Sequence, residues 1–112
     1  MNILLLGCNG QVGWELQRAL APLGIVTGLS HDTPGPVQCP DLRADFAHPQ
    51  DVAALVRAVR PDVIVNAAAY TAVDRAESDE ALARAINSAA VATMVEAMAG
   101  TGGKIVHVST DY

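Results

Sequence analysis

A chain of 112 residues suits one domain, and its 51% hydrophobic content, with a mean hydropathy of +0.27, asks for strands buried on both faces. A formal net charge of −5 without a basic run, one Trp, two Tyr and one Phe, and no apolar run near the roughly 20 residues that span a bilayer argue against nucleic acid or a membrane as partner. Cys8 and Cys39 fit a reducing, cytoplasmic compartment better than a disulfide scaffold, and Met1-Asn2 carries no basic leader.

Residues 2–6 read as a strand, central because Ile3-Leu4-Leu5-Leu6 does not alternate. Gly7-Cys8-Asn9-Gly10-Gln11-Val12-Gly13 follows, a G-x-x-G-x-x-G turn one residue longer than the common G-x-G-x-x-G. Glycine turns sharply and lets a ligand approach the backbone, and the helix after it aims free N–H groups at that ligand; a pyrophosphate is the usual occupant. That helix runs from about Gln11 to Ala21 with Val12, Leu16, Ala19, Leu20 and Leu23 as its apolar stripe, stopped by Pro22 and Gly24. Trp14 reads as packing, and Cys8, inside the turn, as open to alkylation.

Ile25 to Leu29 is a second strand, and Ser30 to Arg43, with Pro34-Gly35-Pro36, a loop. A helix starts at Pro49, buries Val52, Leu55, Val56 and Val59, carries Arg57 and Arg60 near its end and stops at Pro61. Val63 to Asn66 is the third strand, and Tyr70 to Asp79 a polar connection. The longest helix spans Glu80 to Ala99, with Leu82, Ile86, Ala89, Ala90, Thr93 and Ala97 on one side and Met94 and Met98 as packing; Lys104 to Ser109 is the fourth strand. Cys8, Cys39, His31 and His48 lack the short paired spacings of a zinc site, and Asp74 with Glu77 reads as a solvated helical face.

Alternating strands and helices imply an α/β fold: a Rossmann-type, doubly wound parallel sheet. The expected strand order is 3-2-1-4, with the switch point between strands 1 and 4 and a crevice flanked by Gly7–Gly13 and Ser109–Tyr112. Residues 1–112 then form the N-terminal part of an NAD(P)-binding domain, truncated after the fourth strand, with a substrate domain absent from the chain.

Four stretches together carry a family resemblance: Met1 to Gly7 with Asn9 to Leu16; Asp62 to Asp74, which contains Asn66-Ala67-Ala68-Ala69-Tyr70-Thr71-Ala72-Val73-Asp74; Ala76-Glu77; and Val108-Ser109-Thr110-Asp111-Tyr112. The chain resembles the dTDP-4-dehydrorhamnose reductases, extended short-chain dehydrogenases/reductases. The resemblance implies NAD(P)H-dependent reduction of dTDP-4-dehydro-L-rhamnose to dTDP-L-rhamnose, a step in making an activated sugar for bacterial surface polysaccharides. It implies that Gly7, Gly10, Gln11, Val12 and Gly13 hold the cofactor pyrophosphate, that Asp45 and Phe46 lie near the adenine, and that Ala69, Tyr70 and Thr71 face the ribose and nicotinamide half. Thr110 would be the catalytic hydroxyl, donating to the 4-keto oxygen where negative charge develops, with Asp111 on the substrate. Ser109 reads as structural, and Asn87 matches a position that orders a proton relay in many relatives.

Two departures stand out. The family's Tyr-x-x-x-Lys acid pair is not in these residues, and Tyr112 belongs to the Ser-Thr-Asp-Tyr motif instead. Residues 1–112 alone are therefore expected to bind cofactor weakly and not to turn over. At the end of strand 2, Ser30 stands where an acid would hold the ribose of NAD; it cannot repel a 2′-phosphate, and NADPH or dual use with NADH is expected. A homodimer and Mg²⁺ are implied for full-length members only, through regions outside this chain. The alternatives are a non-catalytic regulatory subunit of the same fold, as in the methionine adenosyltransferase beta subunit, and another nucleotide-sugar reductase or epimerase.

Overall fold

The run Asn2-Ile3-Leu4-Leu5-Leu6 forms β1 (Asn2–Leu6), an inner strand whose three leucines are fully buried. The computed structural model describes residues 1–8, 11–31, 33–36, 39–45, 48–67 and 80–108, with backbone alone at 11 and 80–87. Its elements are β1, α1 (Gln11–Leu20), a 3₁₀ turn (Ala21–Leu23), β2 (Ile25–Leu29), α2 (Pro49–Val59), β3 (Val63–Asn66), α3 (Glu80–Met98) and β4 (Lys104–His107).

The four strands form one parallel sheet in the order β2-β1-β3-β4. The parallel α/β class is as expected; the order 3-2-1-4 is not. β3 pairs with β1 rather than lying outside β2, so the switch point falls between β1 and β3. The reason lies in the helices. α1 packs on one face, with Leu16 and Leu20 against Ile3, Leu5 and Val65. α2 and α3 pack on the other, with Val52, Leu55, Val56, Ala90, Met94 and Met98 around Leu4, Leu6 and Ile64. Crossovers keep one hand, so a helix that changes face must carry the next strand to the opposite side of β1.

Alternate residues of β1 and β3 thus feed two cores, the period-two pattern of a strand covered on both sides. Burying each such leucine contributes about 1.5–3 kcal/mol. Among the described residues β4 is the last strand on its side of the sheet and is mostly exposed, with Val106 at 48%.

Several sequence expectations shift. Ala19 is exposed and Leu23 projects from the 3₁₀ turn, so the stripe of α1 narrows to Leu16 and Leu20. Trp14 is 54% exposed, with the Arg18 guanidinium 5.1 Å from its ring centre, one helical turn on. In α3, Ala89 is exposed and Ala90, Met94 and Met98 make the buried stripe; Leu82, Ile86 and the Asn87 side chain lie outside the described residues. β4 is described to His107, with the ladder continued by Val108; Ser109 lies outside the described residues. Cys8 is 5% exposed among Ile3, Leu5, Val65 and Ala67, which closes it to ready alkylation.

Candidate functional site

The last residues of all four strands form one row: Leu29 pairs with Leu6, Leu6 with Asn66, and Asn66 with His107. The backbone ladder continues one step beyond it. Gly7 N–H donates to the Leu29 carbonyl (2.8 Å), Ala67 N–H to Leu6 (2.9 Å), and Val108 N–H to Asn66 (3.0 Å). The segments singled out in the sequence therefore leave the sheet from a single edge: the glycine turn, Ser30, the run after Asn66, and the run after His107.

The glycine turn is built for close approach. Gly7 has φ +81, a conformation natural to glycine. A β-carbon on Gly13 would collide with the Gly7 carbonyl oxygen and come within 2.9 Å of Cys8 Cα. Gly13 thus lets the first turn of α1 press against the end of β1. Gln11 opens α1, and Val12 is half-buried in its first turn. Free N–H groups and the positive end of the helix dipole suit an anion at that helix start. The Gln17 amide reaches back to the Cys8 carbonyl at 3.3 Å and steadies the turn from within the helix.

Beside the turn, Ser30 is 4% exposed and its backbone is tied to Thr33. The Thr33 hydroxyl accepts from Ser30 N–H (2.8 Å) and donates to the Ser30 carbonyl (3.2 Å), closing a tight polar loop after β2. Sequence reasoning missed Thr33; its spacing, three residues after a strand-ending serine, was the available signal. Asp45 is half-buried and follows Ala44, which shares a core cluster with Leu6 and Leu29; its carbonyl accepts from His48 N–H at 2.9 Å, just before α2. Gly10, Phe46, Ala69, Tyr70, Thr71, Thr110 and Asp111 lie outside the described residues.

The revised strand order changes the expected crevice. β4 stands two strands from β1, about 10 Å away at usual sheet spacing, with the end of β3 between them. The glycine turn's direct neighbours are thus Ser30 on one side and Ala67 on the other. Asn66, 1% exposed, was passed over as the end of an apolar run; its amide nitrogen lies 3.2 Å from His107 Nδ1.

A parallel sheet wound on both faces, with a glycine turn running into a helix at the switch point, defines the Rossmann-type class of nucleotide-binding folds. Within that class the chain belongs to the RmlD substrate binding domain family, whose model matches residues 1–112. It is 51% identical over 112 residues to dTDP-4-dehydrorhamnose reductase of Escherichia coli strain K12, and 52% identical to the enzyme of that name from Salmonella typhimurium. Each alignment takes in all of this chain and 36% of the relative, so the chain spans about a third of the length of these relatives. Among solved structures, dTDP-4-dehydrorhamnose reductase from Bacillus anthracis in complex with NADP superposes with a TM-score of 0.73 at 31% identity, over 99% of this chain and 36% of that one.

Proposed function

We propose that these 112 residues supply the dinucleotide-binding part of an NAD(P)H-dependent dTDP-4-dehydrorhamnose reductase, which reduces dTDP-4-dehydro-L-rhamnose to dTDP-L-rhamnose. The observation that carries the proposal is the single row of strand ends, with Gly13 packed on Gly7 beneath it. Identity near one half to relatives of that name, across the whole chain, supports that substrate. The family description speaks of a substrate-binding domain, whereas the features in hand belong to the nucleotide half.

The residues present fit such a cofactor. Gly7 in its left-handed conformation and Gly13 without room for a side chain are the backbone arrangement a pyrophosphate needs. In this reading Gly10, Gln11 and Val12 offer backbone N–H groups to the phosphates, and Ser30 stands at the adenosine ribose. Asp45 and Phe46 border the adenine, and Ala69, Tyr70 and Thr71 border the nicotinamide half. NADPH, when bound, supplies the hydride; the relative solved with NADP favours the phosphorylated form. Thr110 donates a hydrogen bond to the sugar's 4-keto oxygen as it becomes an alkoxide, and Asp111 orients the sugar. Lys104, the chain's one lysine, lies at the start of β4, so the acid that protonates the alkoxide does not come from a Tyr-x-x-x-Lys pair within these residues.

The test is a chimaera in which this chain replaces the stretch it matches in the Escherichia coli relative. NADPH oxidation that depends on dTDP-4-dehydro-L-rhamnose, and that is lost in Thr110→Val, is the expected result. A folded chimaera that binds NADPH but does not reduce the sugar would favour the non-catalytic regulatory reading.

A further inference from the structure

Gly28 is the one glycine inside a strand among the described residues. A glycine there weakens the strand and often marks the close approach of another group. The groups that approach Gly28 are Cys8 and Gln17. A β-carbon on residue 28 would lie 3.1 Å from Cys8 Cβ and 3.5 Å from the Gln17 side-chain amide. Gly28 shares the face of β2 on which Val26 meets Leu16 and Leu20 of α1. It therefore leaves room for a contact between the start of the glycine turn and the body of α1.

That contact is the hydrogen bond from Gln17 Nε2 to the Cys8 carbonyl at 3.3 Å. A carbonyl oxygen only accepts, so the amide nitrogen must face it. The Cys8 N–H donates to the Leu29 carbonyl (3.3 Å), which Gly7 N–H shares (2.8 Å), and the Cys8 side chain is buried among Ile3, Leu5, Val65 and Ala67. Those contacts fix the N–H and the side chain; Gln17 fixes the carbonyl. Backbone N–H groups make an anion site only while neighbouring carbonyl oxygens face elsewhere. The Cys8 carbonyl, one residue past the left-handed Gly7, is such a neighbour. Bound to the seventh residue of α1, it is turned to the flank of the helix and not over the helix start, where an anion is favoured. Donors set in place before a ligand arrives spare it the cost of ordering them.

We infer that Gln17 is a positioning residue for the cofactor: admitted by Gly28, its amide holds the Cys8 carbonyl away from the phosphates and keeps the glycine turn shaped to receive them. The inference rests on the reading of this turn as the dinucleotide site. Gln17 belongs to neither core cluster, so Gln17→Met keeps the length of the side chain, removes the donor and leaves the core intact. Gly28→Val fills the space that the Gln17 amide occupies.

In the chimaera, Gln17→Met should raise KM for NADPH about 3- to 10-fold, the reach of one hydrogen bond, while kcat and KM for the keto-sugar change less than about twofold. Gly28→Val should raise the same KM, and the double variant should be no worse than the poorer single, because both changes break one contact. An unchanged KM for NADPH in Gln17→Met, an equal loss in kcat, or losses that multiply in the double variant would overturn the inference. Should Gly28→Val fail to fold, Gln17→Met decides alone. A second readout needs no turnover. In the folded chimaera the carbonyl ¹³C resonance of Cys8 should move upfield in Gln17→Met, as a carbonyl does on losing a hydrogen bond; an unmoved resonance would sink the inference too. A chimaera inactive with Gln17 in place counts against the reductase reading instead, and leaves that resonance to decide the contact.

Discussion

The two ends of the sheet are held by different means. At the amino end the strands are stitched by backbone and one carboxylate. Asp62 N–H donates to the Asn2 carbonyl (2.7 Å), the Asp62 carboxylate accepts from Asn2 N–H (2.7 Å), and Lys104 N–H donates to the Asp62 carbonyl (3.0 Å). At the carboxyl end the strands finish on a left-handed glycine, a serine tied into a turn and a buried asparagine bonded to a histidine. The amino end also carries a cleft of about 420 Å³ bordered by Arg57, Arg60, Asp62 and Thr101. In a parallel sheet ligands bind beyond the carboxyl ends, at the switch point, so the glycine turn outweighs the cleft. In the proposed reading the amino end serves stability and the carboxyl end serves the ligand.

Substitutions at the two ends should separate these roles. Gly13→Val is the largest: its side chain meets the Gly7 carbonyl and Cys8, and it should destabilise by about 1–3 kcal/mol in urea unfolding and abolish any response to NADPH. A Gly13→Val chain as stable and as responsive as the parent would remove the basis for the turn. At the other end, Asp62→Ala deletes an exposed carboxylate contact to Asn2 and should cost about 1 kcal/mol, with the NADPH response unchanged. A smaller effect of opposite sign is expected at Arg60, which follows α2 with φ +50, the one left-handed non-glycine among the described residues. Arg60→Gly relieves that conformation and should raise stability by up to about 1 kcal/mol, less the loss of a cation at a helix end. A drop in stability there would show that the guanidinium matters more than the backbone.

Much of this was legible in the residues. β1, β2, β3 and α2 follow from apolar runs and from Pro49 and Pro61, because burial on both faces and proline stops act locally. Strand order was not, since it depends on which face each helix takes, and the loop with Pro34-Gly35-Pro36 gives no sign of it. Trp14 shows the limit of composition: a large aromatic ring next to the turn reads as core, yet Arg18 one turn on gives it a partner at the surface. The glycine turn was readable because only glycine fits at positions 7 and 13. The Asn66–His107 pair was not, because 41 residues separate its members and only the register of β3 on β4 joins them.

The central claim is that the carboxyl end of this sheet, and not the cleft at the amino end, receives the dinucleotide. Titration of ¹⁵N-labelled chain with NADPH, followed through its amide resonances, tests it directly and reads weak binding. Shifts should gather at residues 7–13, 30, 45–46, 66–71 and 107–111 and spare 57–62 and 97–104. Shifts centred on Arg57, Arg60 and Thr101, with the glycine turn unmoved, would contradict it.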